Sequence, residues 1–105
     1  MNDTTMKSLQ YFVIIADQKR KNKFLTLLSE HGAHGVETVY GHGSMSPSAI
    51  AAAFGLEVEQ GKVLISCLMK THNAREVIDI LYREYKFDEP NTGIAFGIPV
   101  EGLAF

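Results

Sequence analysis

Apolar residues come in two kinds of pattern along this chain: short unbroken runs, and segments spaced for a helix. Leu9–Ala16 reads Leu-Gln-Tyr-Phe-Val-Ile-Ile-Ala, and Lys62–Lys70 reads Lys-Val-Leu-Ile-Ser-Cys-Leu-Met-Lys. Both are β-branched and aromatic over the length of one strand, which predicts two central strands. Between them Phe24, Leu27, Leu28 and His31 recur at helical spacing, and Gly32 can supply the left-handed conformation that ends a helix. This first helix is expected to end at His31 and to start at Lys19 or at Asn22. The cations Lys19, Arg20 and Lys21 would oppose the helix dipole in a first turn, which makes Asn22 the alternative cap.

Val36–His42 follows as a strand, and Gly43–Gly61 then changes character. It is the longest connection. Ser46-Pro47 is a helix opening, the alanine-rich Ser48–Phe54 is expected to be a short helix, and Gly55 ends it. Asn73 with Glu76 reads as a capping box for a second helix, whose apolar face is Ala74, Val77, Ile78, Leu81 and Tyr85 and which runs to about Phe87. Asp88–Thr92 turns the chain into a last strand, Gly93–Val100. The order β-α-β-β-α-β predicts an α+β, ferredoxin-like sandwich. One domain spans residues 1–105, with 1–7 as a loose end.

In such a sandwich both helices lie on one face of the sheet, so a lone chain should show strands alternating apolar and polar. These do not. Leu9, Tyr11, Val13 and Ile15 oppose Phe12, Ile14 and Ala16; Val63, Ile65, Cys67 and Met69 oppose Leu64 and Leu68. A bare apolar face would exceed what soluble monomers expose, so a second copy is expected to cover it, and replacing Ile14 with Glu is expected to disrupt assembly or folding. The alternative is that the 43–61 connection and the C-terminal tail fold across it.

Composition narrows the function classes. A chain of 105 residues with 46% hydrophobic content can bury one core but not two. The net charge of −2 gives no basic footprint for nucleic acid, so none is expected as a partner. A single cysteine, Cys67, excludes an internal disulfide framework, and in a central strand it reads as a small buried hydrophobe. With no leader pattern and no apolar run near the roughly 20 residues that span a bilayer, the expected location is cytoplasmic, without direct membrane insertion.

The candidate chemistry lies in two glycine-bearing turns. Gly41-His42-Gly43-Ser44 leaves a strand end where backbone can approach a ligand and N–H groups can converge on an anion; a tight strand exit is the plainer reading. Asn91-Thr92-Gly93 offers hydroxyl, amide and backbone donors, or is merely a turn. Asn91–Glu101 (Asn-Thr-Gly-Ile-Ala-Phe-Gly-Ile-Pro-Val-Glu), read with Val39-Tyr40-Gly41-His42-Gly43 and with His31–Val36, resembles the PII signal-transduction family, in its divergent PII-like branch with a TGIAF-type final strand. The resemblance implies a non-enzymatic homotrimer that binds a metabolite between subunits. It makes Gly41–Ser44 the base of a T-loop and one wall of a nucleotide cleft, with Asn91–Gly93 as the other wall. It also makes residues 43–61 the T-loop shown to a partner such as a membrane transporter or metabolic enzyme, in settings that include nitrogen metabolism.

Three departures shape the expected ligand. The glycine-aspartate-glycine-lysine phosphate loop is missing, no Lys or Arg follows Lys86, and 43–61 contains no Tyr for uridylylation. Lys62 and Lys70 remain as cations bracketing the third strand. An adenine nucleotide of low charge or a small anion therefore fits better than ATP. His31, His34, His42 and His72 raise a metal reading, with His31 and His34 spaced to chelate, but one Cys and no closed ligand set lead to no expected metal site. The alternatives are a divalent-metal tolerance-type ferredoxin-like trimer, and a small ferredoxin-like enzyme whose catalytic group the sequence does not reveal.

Overall fold

The computed structural model describes residues 9–41, 61–90 and 92–101. Within them the two apolar runs are β1 (Leu9–Asp17) and β3 (Lys62–Lys70), the two central strands of an antiparallel sheet. β2 (His34–Tyr40) flanks β3 and β4 (Gly93–Pro99) flanks β1, giving the order β2-β3-β1-β4. With α1 (Lys21–Glu30) and α2 (Thr71–Tyr85), this is the ferredoxin-like order that the pattern predicts. The expected short helix at Ser48–Phe54 lies outside the described residues, as do the 1–7 terminus and most of the 43–61 connection.

The element boundaries differ from expectation for identifiable reasons. The Asp17 side chain accepts the Lys19 N–H at 2.9 Å, which nucleates a single 3-10 turn over Gln18–Arg20 that runs on into α1. Asp17 caps that turn, while α1 itself begins at Lys21 without a side-chain cap, between the two expected starts Lys19 and Asn22. Gly32, at φ +77°, ends α1 as anticipated, and the Ala33 N–H reaches back to the Leu28 carbonyl at 3.0 Å. β2 starts two residues early because Gly35, at φ +60°, makes a bulge between His34 and Glu37 inside the strand rather than a turn before it.

α2 follows β3 without a loop. Lys70 is extended at its N-cap position and makes no side-chain cap, so the Asn73–Glu76 pair lies inside the helix and is not a capping box. At the far end Lys86 takes the left-handed conformation at φ +58°, and the Phe87 N–H bonds to the Leu81 carbonyl at 3.0 Å. That reversal folds Phe87 into the core, where its ring meets Phe24 edge-on at 5.6 Å.

The helices cover one sheet face. Phe12, Ile14, Ala16, Val63, Ile65, Cys67 and Met69 pack there against Phe24, Leu28, Val77 and Leu81. Ile14 is thus a core residue beneath the helices, so of the two expected effects of Ile14→Glu, on assembly or on folding, its position favours folding. On that opposite face Val13, Ile15 and Leu64 form a second cluster, edged by Tyr11, Val39 and Phe96. The expectation of a bare face is also not met at its centre: Val13 is 0% and Leu64 1% exposed within the single chain. The exposed apolar surface of this face lies toward its β4 edge, at Ile94, which pairs with Ile15 and is 48% exposed.

Candidate functional site

The sheet register decides which candidates meet. Tyr40 pairs with Val63, Val63 with Ala16, and Ala16 with Gly93, so these four form one row across all four strands. The next row out is the end of the sheet. Gly41 bonds there through its N–H to the Lys62 carbonyl at 3.1 Å, Lys62 pairs with Asp17, and Thr92 leads into β4. Gly41, Lys62, Thr92 and Gly93 therefore share one end of the sheet. His42, Gly43, Ser44 and Asn91 lie outside the described residues.

Sharing an end is not sharing a pocket. Gly41 follows one edge strand and Gly93 opens the other, and three strand spacings separate those edges by about 14 Å. A single chain thus carries two half-walls on opposite edges of its sheet. Lys70 is not with them: it pairs with Leu9 at the opposite end, roughly 27 Å along the 9-residue β3.

The structure adds residues that the sequence pattern did not single out. The Lys21 Nζ donates to the Tyr40 Oη at 2.5 Å and lies 5.2 Å from the centre of the Tyr40 ring. This hydrogen bond, opposed by burial and aided by the Lys21 charge and a Thr38 hydrogen bond, holds the Tyr40 phenol below its ordinary range. Arg20 is occupied differently, stacked 5.4 Å from the Phe24 ring and 5.2 Å from the Tyr85 ring. Gln18 ties the same end together, its backbone N–H on the Gly61 carbonyl at 2.9 Å and its side chain on the Lys62 carbonyl at 3.2 Å. Lys21 stands nineteen residues from Tyr40 in sequence, and no short motif joins them.

Gly93 has a packing reason to be glycine. A Cβ there would stand 2.5 Å from the Phe87 ring, so the turn that folds Phe87 inward also requires a bare backbone at the start of β4.

Among the described residues the histidines do not gather as a metal centre. His31 is held by the Leu27 carbonyl at 2.9 Å through Nδ1 and stands 3.9 Å from Glu76, which His72 approaches at 3.4 Å; His34 is exposed on β2 and is not among these partners. Among the described residues no group of three or more His, Cys, Asp or Glu side chains is placed to hold a metal ion. Cys67 is buried and its thiol is pushed up to about 11 by desolvation, which suits packing rather than nucleophilic chemistry. A groove of about 520 Å³ runs between the helices, lined by Lys23, Glu30, His31, Glu84 and Tyr85 among others. No helix among the described residues is long and apolar enough to cross a membrane.

No family model matches the chain, and no curated protein matches it. Solved structures do. A PII-like signaling protein from Thermus thermophilus is 19% identical, with 88% of this chain and 86% of that one covered at a TM-score of 0.62. CPII from Thiomonas intermedia, bound to ADP, AMP and acetate, is 14% identical over 91% and 89% of the two chains, at a TM-score of 0.63. The same protein bound to ADP and bicarbonate is 19% identical over 90% and 89%, at 0.57. The chain therefore has the PII-like fold, as its TGIAF strand and its Gly41 turn imply.

Proposed function

We propose that this chain is a member of the PII-like family and a non-enzymatic regulator: a homotrimer that binds an adenine nucleotide of low charge, or a small anion such as bicarbonate, between subunits. One observation carries the reading. Gly41 and Thr92-Gly93 lie at the same end of the sheet but on opposite edges, so the edge of one copy must meet the opposite edge of another before a ligand can touch both. Ile94, exposed beside Gly93, is a suitable apolar contact for that meeting. The ligand class draws support from CPII, which has the same fold and whose structures hold ADP, AMP and bicarbonate.

Regulation would follow by population shift. A ligand held by Gly41–Ser44 of one subunit and Asn91–Gly93 of the next favours one arrangement of residues 43–61, and a transporter or metabolic enzyme binds that arrangement. The cytoplasm is where such a regulator would work.

Calorimetric titration with AMP, ADP, bicarbonate and ATP tests the reading. AMP, ADP or bicarbonate should bind measurably and ATP weakly, because Gly93 runs directly into Ile94-Ala95-Phe96 with no glycine- and lysine-bearing loop to hold a triphosphate. Micromolar magnesium-dependent ATP binding would overturn the ligand class. Absence of binding by all four would overturn the sensing role.

A further inference from the structure

We propose that Lys21 and Tyr40 form the subsite that receives the charged oxygens of the ligand, a phosphate of a nucleotide or the oxyanion of a small acid. The inference rests on the intersubunit cleft above and gives that cleft the cation its sequence motifs lack.

Lys21 is half-buried, and among the described residues no carboxylate lies within ion-pair reach of it. Lysines sheltered from water normally have an anionic partner, because removing an ammonium from water is costly. Here the described partner is a neutral phenol, the Tyr40 Oη, which accepts one of its three N–H groups. Among the described residues, two N–H donors of Lys21 and the hydroxyl hydrogen of Tyr40 have no acceptor and are available to one. Three donors and one net positive charge suit an oxyanion.

Position supports the chemistry. Tyr40 is the last residue of β2 and is followed at once by Gly41, so the pair stands on the same half-wall as the glycine turn. The hydrogen bond fixes the ammonium against the strand end. Neither Lys62 nor Lys70 is held in this way: the ammonium of neither takes part in an ion pair or hydrogen bond among the described residues.

The experiment measures AMP, adenosine and bicarbonate binding calorimetrically to the native protein and to Lys21→Met, Lys21→Arg and Tyr40→Phe, with circular dichroism confirming the fold of each. The native protein should prefer AMP to adenosine, and Lys21→Met should lose roughly ten- to hundredfold in AMP affinity, the usual worth of a charge-assisted hydrogen bond, with adenosine unchanged. Tyr40→Phe should lose less, and Lys21→Arg should restore part of the loss. If bicarbonate rather than AMP shows this dependence on Lys21, the oxyanion is that of a small acid and the subsite stands. Should Lys21→Met fail to fold, Tyr40→Phe alone must weaken anion binding. Unchanged AMP and bicarbonate affinity in folded Lys21→Met would overturn the subsite while leaving the cleft intact, whereas a native protein that binds neither anion would remove both.

Discussion

Phe24 takes the centre of the helix-side core because three aromatic or cationic groups converge on it. Tyr85 meets it edge-on at 5.1 Å, Phe87 at 5.6 Å, and the Arg20 guanidinium lies 5.4 Å from its ring centre. Phe24→Ala should cost about 3–5 kcal/mol, read as a shift in the denaturation midpoint, since it removes a fully buried ring and the two edge contacts together. Cys67 gives a pH test. Burial raises its folded-state thiol above the unfolded value, so its contribution is intact below the unfolded value and is lost as pH rises through about 11. Stability should therefore fall more steeply in the native protein than in Cys67→Ala between pH 9 and 11, while a thiol reagent at pH 7 should label Cys67 only after unfolding. Parallel pH curves would contradict this. At this scale much was legible: Phe24, Leu27, Leu28, Val77 and Leu81 are buried as their spacing predicts. The Lys21–Tyr40 contact was not, because it joins a helix start to a strand end that only the fold brings together.

Among the elements, strands β1, β3 and β4 were readable because a continuous apolar run has one length and few alternatives. The ends that differ are those where a side chain or glycine had two competing uses. The strand expected from Val36 begins at His34, with Gly35 in a bulge; Asn73 and Glu76 had cap spacing, yet Thr71 continues straight from β3 into α2. Lys86 shows a strained ending. A lysine at φ +58° lacks glycine's freedom, so Lys86→Gly should stabilise the protein by about 1 kcal/mol, visible as a higher melting temperature. Gly93→Ala should act in the opposite direction, by about 1–3 kcal/mol, because the new methyl group meets the Phe87 ring at 2.5 Å. If Gly93→Ala were as stable as the native protein, Phe87 would have to have room to move that the packing does not provide.

For the whole molecule, two-sided apolar strands pointed to association, and the structure changes that argument rather than completing it. The centre of the second face is already buried in one chain, at Val13, Ile15 and Leu64. The case for assembly now rests on the half-walls at opposite sheet edges and on Ile94 between solvent and sheet. The two faces also separate folding from assembly. Ile14→Glu places a charge beneath the helices and should unfold the chain, whereas Ile94→Glu should leave the fold and weaken association. The candidate site was legible only as separate pieces of sequence; their placement on two edges needs the sheet order, which a list of motifs does not contain. Native mass spectrometry at micromolar protein with AMP reads assembly and ligand occupancy together, and so bears most directly on a cleft shared between copies. The account predicts trimers carrying up to three nucleotides and no nucleotide on free chains. A stable monomer that binds AMP would contradict it.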